Sequence, residues 1–117
     1  NNFQFTPHLT PMFRGILSTI YINLRKGVTK NKVNSELKKY YKNQRFVKVS
    51  NPDTFLSTND VINTNNCIIS VCNSKYKSKL IILSVIDNLI KGGSGQAVQN
   101  MNIRFKFSES EGLNGKI

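Results

Sequence analysis

The 117-residue chain carries 17 Lys and Arg against 6 Asp and Glu, a formal net charge of +11, with 38% hydrophobic residues and no tryptophan. That length fits one compact domain, or part of one, and is too short for two ordinary domains. No apolar run approaches the roughly 20 residues that span a bilayer, and no basic stretch followed by an apolar core opens the chain, so neither a transmembrane helix nor a signal peptide is expected.

Residues 15–25, GILSTIYINLR, put Ile16, Ser18, Ile20, Ile22 and Leu24 on one face and Leu17, Thr19, Tyr21, Asn23 and Arg25 on the other. This alternation predicts a strand with one strongly apolar face. Gly27 breaks it, and Thr29 is placed to cap a helix over 29–44 whose apolar stripe is Val33, Leu37, Tyr40 and Tyr41. Residues 45–49 return as a short strand that Ser50-Asn51-Pro52-Asp53 ends with turn chemistry. The polar stretch 54–66, TFLSTNDVINTNN, reads as a long ordered loop or an edge segment. Two β-branched runs, 67–72 and 80–86, joined by NSKYKSK, predict a hairpin. Together these elements give an α+β fold: a mixed, mostly antiparallel sheet with helices on one face.

The end of the chain is harder to read. Lys91-Gly92-Gly93-Ser94-Gly95 precedes a run in which Ala97, Val98, Met101 and Phe105 fall at helical spacing, with Ser94 as the N-cap. Met101, Ile103, Phe105 and Phe107 also alternate as a strand would, but the helix is preferred at the start of the run. The tail, SESEGLNGKI, is polar enough to fray. Glycines opening a helix suit a phosphate, because the free N–H groups of the first turn face it. Yet no GKS or GKT follows, and no acidic residue stands on a later strand, so the loop is not a self-sufficient nucleotide motif.

The basic excess is local: nine of the seventeen basic residues lie over 25–48, where Glu36 is the only acid. Such a patch attracts nucleic acid, anionic membrane or a phosphorylated metabolite alike, and a solvated basic face is the simplest reading. A freestanding nucleic-acid-binding module is the second reading. Against it, Tyr40 and Tyr41 are assigned to the apolar stripe and the basic residues are mostly lysines, so the interleaved aromatics and arginines of a nucleic-acid face are missing; neither a nucleic acid nor a membrane is expected as partner. Cys67 and Cys72, an odd five residues apart in one strand, point to opposite faces and are expected to form neither a disulfide nor a metal site.

Two segments are more specific than charge or glycines. FTPHLTPMFRGILSTIY at 5–21 and SVIDNLIKGGSGQAVQNMN at 84–102, with FVKV, STND and an Asn-Cys pair in the same order between them, resemble the C-terminal portion of N-acetyl-gamma-glutamyl-phosphate reductase. The resemblance implies a glyceraldehyde-3-phosphate-dehydrogenase-like C-terminal domain, with residues 1–117 forming the C-terminal part of the substrate domain. It implies an NADP-dependent enzyme of arginine biosynthesis, cytoplasmic and homo-oligomeric, that converts N-acetylglutamyl phosphate into N-acetylglutamate semialdehyde and phosphate through a cysteine thioester. The family's Rossmann domain, its Ser-Asn-Pro-Gly-Cys nucleophile and its His-x-His acid–base segment have no counterpart in these residues, so no catalytic residue is assigned and the chain alone is expected to be inactive. His8, outside any His-x-His pattern, is read as peripheral, and Cys67 as a packing thiol. Arg14 and Gly15 match the family's substrate side: the guanidinium fork suits a carboxylate or acyl phosphate, and the glycine allows close approach. Ser94, Gly95 and Gln96 match its cofactor side, next to the nicotinamide.

Overall fold

The computed structural model describes residues 4–113. In chain order it forms β1 (Ile16–Asn23), α1 (Lys30–Tyr40), β2 (Val47–Val49), β3 (Cys67–Asn73), β4 (Lys79–Ile86) and α2 (Gly95–Arg104). A 3-10 turn, Thr58–Asp60, punctuates the loop before β3, and a π-helical turn, Ile90–Ser94, leads into α2. The four strands lie in the order β1-β4-β3-β2. β4 runs antiparallel to β1 and β3, whereas β2 and β3 are parallel. The parallel pair follows from connectivity: the α1 crossover returns β2 in the direction of β1, and residues 50–66, a connection far longer than a tight hairpin, carry the chain back so that β3 starts at the same end as β2. The result is the predicted α+β class with a mixed, mostly antiparallel sheet.

Val61, Val71 and Val85 are fully buried, and Phe46, Leu80, Ile90 and Leu113 complete the core. The loop over residues 54–66 is ordered, as predicted: Val61 is at its centre, and Ser57 and Asp60 form a reciprocal capping box that fixes its turn. Cys67 pairs in register with Ile86 and Cys72 with Ile81, which puts the two thiols on opposite faces; Cys67 Sγ contacts Ser84 Oγ and Cys72 Sγ contacts Ser70 Oγ. β1 is an edge strand. Its predicted apolar face is only half covered, with Ile16 44% and Ile20 45% exposed.

Thr29 caps α1 as expected, in an extended conformation with Oγ1 accepting from Lys32 N at 3.3 Å. Thr29→Ala is expected to cost about 1 kcal/mol, read from the urea midpoint, since one first-turn N–H loses its partner. Two details differ from the sequence reading. The helix stops at Tyr40 instead of running to residue 44, and Tyr40 is 77% exposed. The covered side of α1 is centred on buried Asn34, whose Nδ2 donates to Ser50 O at 3.0 Å, with Val33 and Leu37 half-buried beside it, and this leaves Tyr40 at the solvent margin.

The last helix starts at Gly95, as expected, but its cap is corrected. Ser94 holds the N-cap position without capping: its backbone is already helical and its hydroxyl donates to Leu89 O, five residues back, at 2.9 Å. The winding begins with Asp87, whose Oδ1 accepts from Leu89 N at 2.9 Å and Ile90 N at 3.2 Å, the pattern of a capping aspartate. The glycines allow the wide turn, for Gly93 takes a non-helical φ of −145° and ψ of −110°. α2 runs to Arg104, so the alternating strand through Met101 does not form. Nor does the whole tail fray. Asn102 is buried and its Nδ2 donates to Glu109 O and Glu111 O, while Ser110 and Leu113 are buried; residues 114–117 lie outside the described residues.

Candidate functional site

Register brings the site together. β1 begins opposite the end of β4, with Ile16 paired to Ile86, so the residues just before β1 meet those just after β4. Gly15 N accordingly donates to Asn88 Oδ1 at 2.6 Å. Gly15 holds φ at +111°, in the range that favours glycine, and a Cβ there would lie 2.6 Å from Thr58 Cβ. The close approach that this glycine allows in the structure is to Thr58, in the loop before β3.

Arg14 turns into the same junction. Its Nη2 donates to Asp87 Oδ1 at 3.1 Å and its Nη1 to Asn63 Oδ1 at 2.8 Å. Its Nε sits 2.9 Å from Asp87 Oδ2 in ion-pair contact, without the alignment of a hydrogen bond. The arginine side chain is 17% exposed and the carboxylate is fully buried. Asp87 also accepts from Asn63 N, through Oδ2, at 2.8 Å. Burial by itself would raise the pKa of Asp87; the backbone donors Asn63, Leu89 and Ile90 and the Arg14 guanidinium outweigh it and hold the carboxyl below its ordinary range. Asp87 is therefore an anion at neutral pH, and sequence reasoning missed it. The signal was present in Asp87-Asn88 between a β-branched strand and an apolar turn, a capping pattern obscured by the glycines four residues on.

A five-donor arginine used in this way keeps one N–H on each terminal nitrogen for another acceptor. The arrangement can present a fixed cationic edge to an oxyanion while its other edge is neutralised.

The three predicted cofactor-side residues sit together at the start of α2. Ser94 is exposed and Gln96 half-buried, with Gln96 Nε2 donating to Asn100 Oδ1 at 2.8 Å. Gly95 is buried, and a Cβ on it would come within 2.5 Å of Asn65 Oδ1 and 2.6 Å of Ile90 Cγ2. Behind this turn, Gln99 Oε1 accepts from Lys91 Nζ and Asn65 Nδ2, and Gln99 Nε2 donates to Glu109 Oε1. Lys91 lies over the Phe46 ring; burial lowers its pKa, opposed by the nearby Cys67 and Glu109. Arg14 and Gly15 are thus tied to Asp87 and Asn88, the residues that open the turn leading to Ser94–Gln96. His8 is outside this cluster, in an exposed stretch before β1. A separate open groove of about 400 Å³ is built from Val28, Lys32, Val33, Glu36, Leu37 and Tyr40 and shares no residue with the cluster. No helix among the described residues is long and apolar enough to cross a membrane.

Comparison with known proteins bears out the family resemblance. Residues 1–88 match the family model described as semialdehyde dehydrogenase, dimerisation domain. The chain is 46% identical over 110 residues to N-acetyl-gamma-glutamyl-phosphate reductase of Staphylococcus aureus strain USA300, covering 94% of this chain and 32% of the relative. It is 50% identical over 109 residues to the reductase of Thermoanaerobacter pseudethanolicus, covering 93% and 32%. The chain thus spans about a third of the length of the curated relatives it matches. In fold it resembles the crystal structure of aspartate semialdehyde dehydrogenase II from Vibrio cholerae, with a TM-score of 0.62 at 20% identity over 83% of this chain and 29% of that one.

Proposed function

Since the chain belongs to the semialdehyde dehydrogenase dimerisation-domain family, we propose that it serves as the substrate-side and subunit-contact portion of an N-acetyl-gamma-glutamyl-phosphate reductase. The complete enzyme would act in cytoplasmic arginine biosynthesis, taking N-acetylglutamyl phosphate to N-acetylglutamate semialdehyde and phosphate. The observation that carries the reading is the meeting of Arg14 and Gly15 with the turn before α2, through Asp87 and Asn88. It supports a reading in which an oxyanion-binding edge lies near a surface that faces a dinucleotide. The similarity to reductases along 94% of the chain sets aside the freestanding nucleic-acid module.

In this reading Arg14 offers its two remaining terminal N–H groups to an oxyanion of the substrate. NADP, when bound, supplies or accepts the hydride. On this chain the exposed Ser94 and the half-buried Gln96 would face it, while the buried Gly95 makes room by its lack of a side chain. The residues fit a cofactor held mainly by another domain, for they offer a surface and no enclosed cradle. Association of subunits is supported by the family's description and by the half-exposed Ile16, Leu17 and Ile20 along edge strand β1.

The test is an assay of the complete coding sequence for NADP reduction that requires both N-acetylglutamate semialdehyde and phosphate. Arg14→Ala is expected to lower kcat/KM about 100-fold or more, because two charge-assisted hydrogen bonds to the substrate are lost. A parent enzyme with no such activity would overturn the assignment.

A further inference from the structure

Asp87 does more than cap a helix. Its Oδ1 accepts from Leu89 N, Ile90 N and Arg14 Nη2, and its Oδ2 accepts from Asn63 N and contacts Arg14 Nε. One fully buried carboxylate therefore ties down the substrate-side arginine, the loop at Asn63 and the first turn of the glycine segment at once. An arginine at a strand end ordinarily samples many rotamers, and a fork gripped along its Nε edge keeps few of them. Asn63 Oδ1 takes Nη1 from the side, so the plane of the guanidinium is set by two residues on different segments.

We propose that Asp87 is a positioning residue: it fixes the Arg14 guanidinium in register with the turn before α2, so that the oxyanion of the acyl substrate and the cofactor are held at a set separation. The proposal rests on the reading of Arg14 as a substrate-side group. Asp87 touches neither substrate nor cofactor and acts through Arg14. Asn63 is its helper on the opposite side of the fork.

The isosteric change Asp87→Asn separates positioning from folding. An asparagine oxygen still caps Leu89 N and Ile90 N, because Asn is as good a cap as Asp, but its amide offers no second acceptor to Arg14 and Asn63. In the complete reductase subunit, assayed with N-acetylglutamate semialdehyde, phosphate and NADP, Asp87→Asn is expected to raise the KM for phosphate and semialdehyde by about 10- to 100-fold, the scale of an ångström-sized misplacement. The KM for NADP should stay within about twofold, because the cap on the glycine segment is kept. A general loosening of the domain would move both constants. In an Arg14→Gln background, adding Asp87→Asn should give no further rise, since a residue acting only through Arg14 has nothing left to act on.

The proposal is overturned if folded Asp87→Asn keeps the parent KM for both acyl-side substrates, or if its effect simply adds to that of Arg14→Gln. Should Asp87→Asn fail to fold, Asp87→Ser, which also retains a capping oxygen, reads the same two constants and decides in the same way. Failure of the underlying reading has a different signature: Arg14→Gln itself would then leave the acyl-side KM unchanged, and the role of Asp87 would fall with it.

Discussion

Asp87→Ala is expected to destabilise the protein by about 3–5 kcal/mol at neutral pH, because it leaves a largely buried guanidinium without its counter-charge and removes the acceptor of three backbone N–H groups. Urea unfolding of parent and variant measures the difference; a loss below about 1 kcal/mol would show that water replaces the carboxylate at no cost. The double variant Arg14→Met with Asp87→Ala should recover part of the loss, since an apolar side chain asks for no partner. The effect also has a predictable pH dependence. The carboxyl of Asp87 is held below its ordinary range in the folded state, so the unfolded chain takes up its proton first as pH falls. Its contribution is fully present above the unfolded value of about 3.9 and is lost as pH falls from there through the folded value. The gap between parent and Asp87→Ala should therefore be constant near neutrality and close in acid. A gap that widened in acid would contradict the ionised assignment.

The same residue shows where sequence reasoning reaches its limit. Periodicity of two and of 3.6 was enough to find all four strands, the Thr29 cap and the hairpin over β3 and β4, because those patterns are local. Partner choice is not local. Nothing in Pro-Met-Phe-Arg-Gly says that Arg14 meets a carboxylate 73 residues away; that follows from the antiparallel pairing of Ile16 with Ile86, which only the assembled sheet fixes. The turn before that helix is a related case. The capping aspartate that opens it stands five residues ahead of the glycines, and the backbone kinks at Gly93 before α2 begins. Asn34 and Asn102, both buried, were hidden because single polar residues within helical patterns look solvent-facing until their acceptors, Ser50 O and the carbonyls of Glu109 and Glu111, are placed beside them. Tyr40 was the reverse case: an aromatic at acceptable spacing that the sheet does not cover. The resemblance to the reductase family pointed to the two candidate segments. It did not supply the carboxylate that joins them.

Gly95→Ala is expected to be the most damaging single-methyl addition in the turn before α2. A Cβ there would sit 2.5 Å from Asn65 Oδ1, 2.6 Å from Ile90 Cγ2 and 2.9 Å from Ile90 O. None of these can move freely: Ile90 O is backbone at the start of the π-helical turn, Ile90 is buried, and Asn65 is held through its Nδ2 by Gln99, itself tied to Lys91 and Glu109. Overpacking of this kind costs about 1–3 kcal/mol, and here the upper end applies because a carbonyl oxygen is among the atoms displaced. Asn65 Oδ1 has no hydrogen-bond partner, so close packing against the bare Gly95 Cα is what shields it, and pushing the two apart adds exposure without adding a bond. Gly92→Ala is the matched control. Its Cβ would approach only the tip of Ile86, Cδ1 at 3.3 Å, and Ala gains helix propensity over Gly, so its stability should lie within about 1 kcal/mol of the parent. Thermal unfolding of the two variants side by side gives the comparison, and equal melting points would refute the packing account of Gly95. In the complete reductase, Gln96→Ala then isolates the cofactor side. Gln96 is half-buried and its side chain donates along its own helix to Asn100, so on the proposed reading its loss should change stability by less than about 1 kcal/mol while raising the KM for NADP. A glycine required by its neighbours and a glutamine required by a ligand would be told apart by which of the two measurements each one moves.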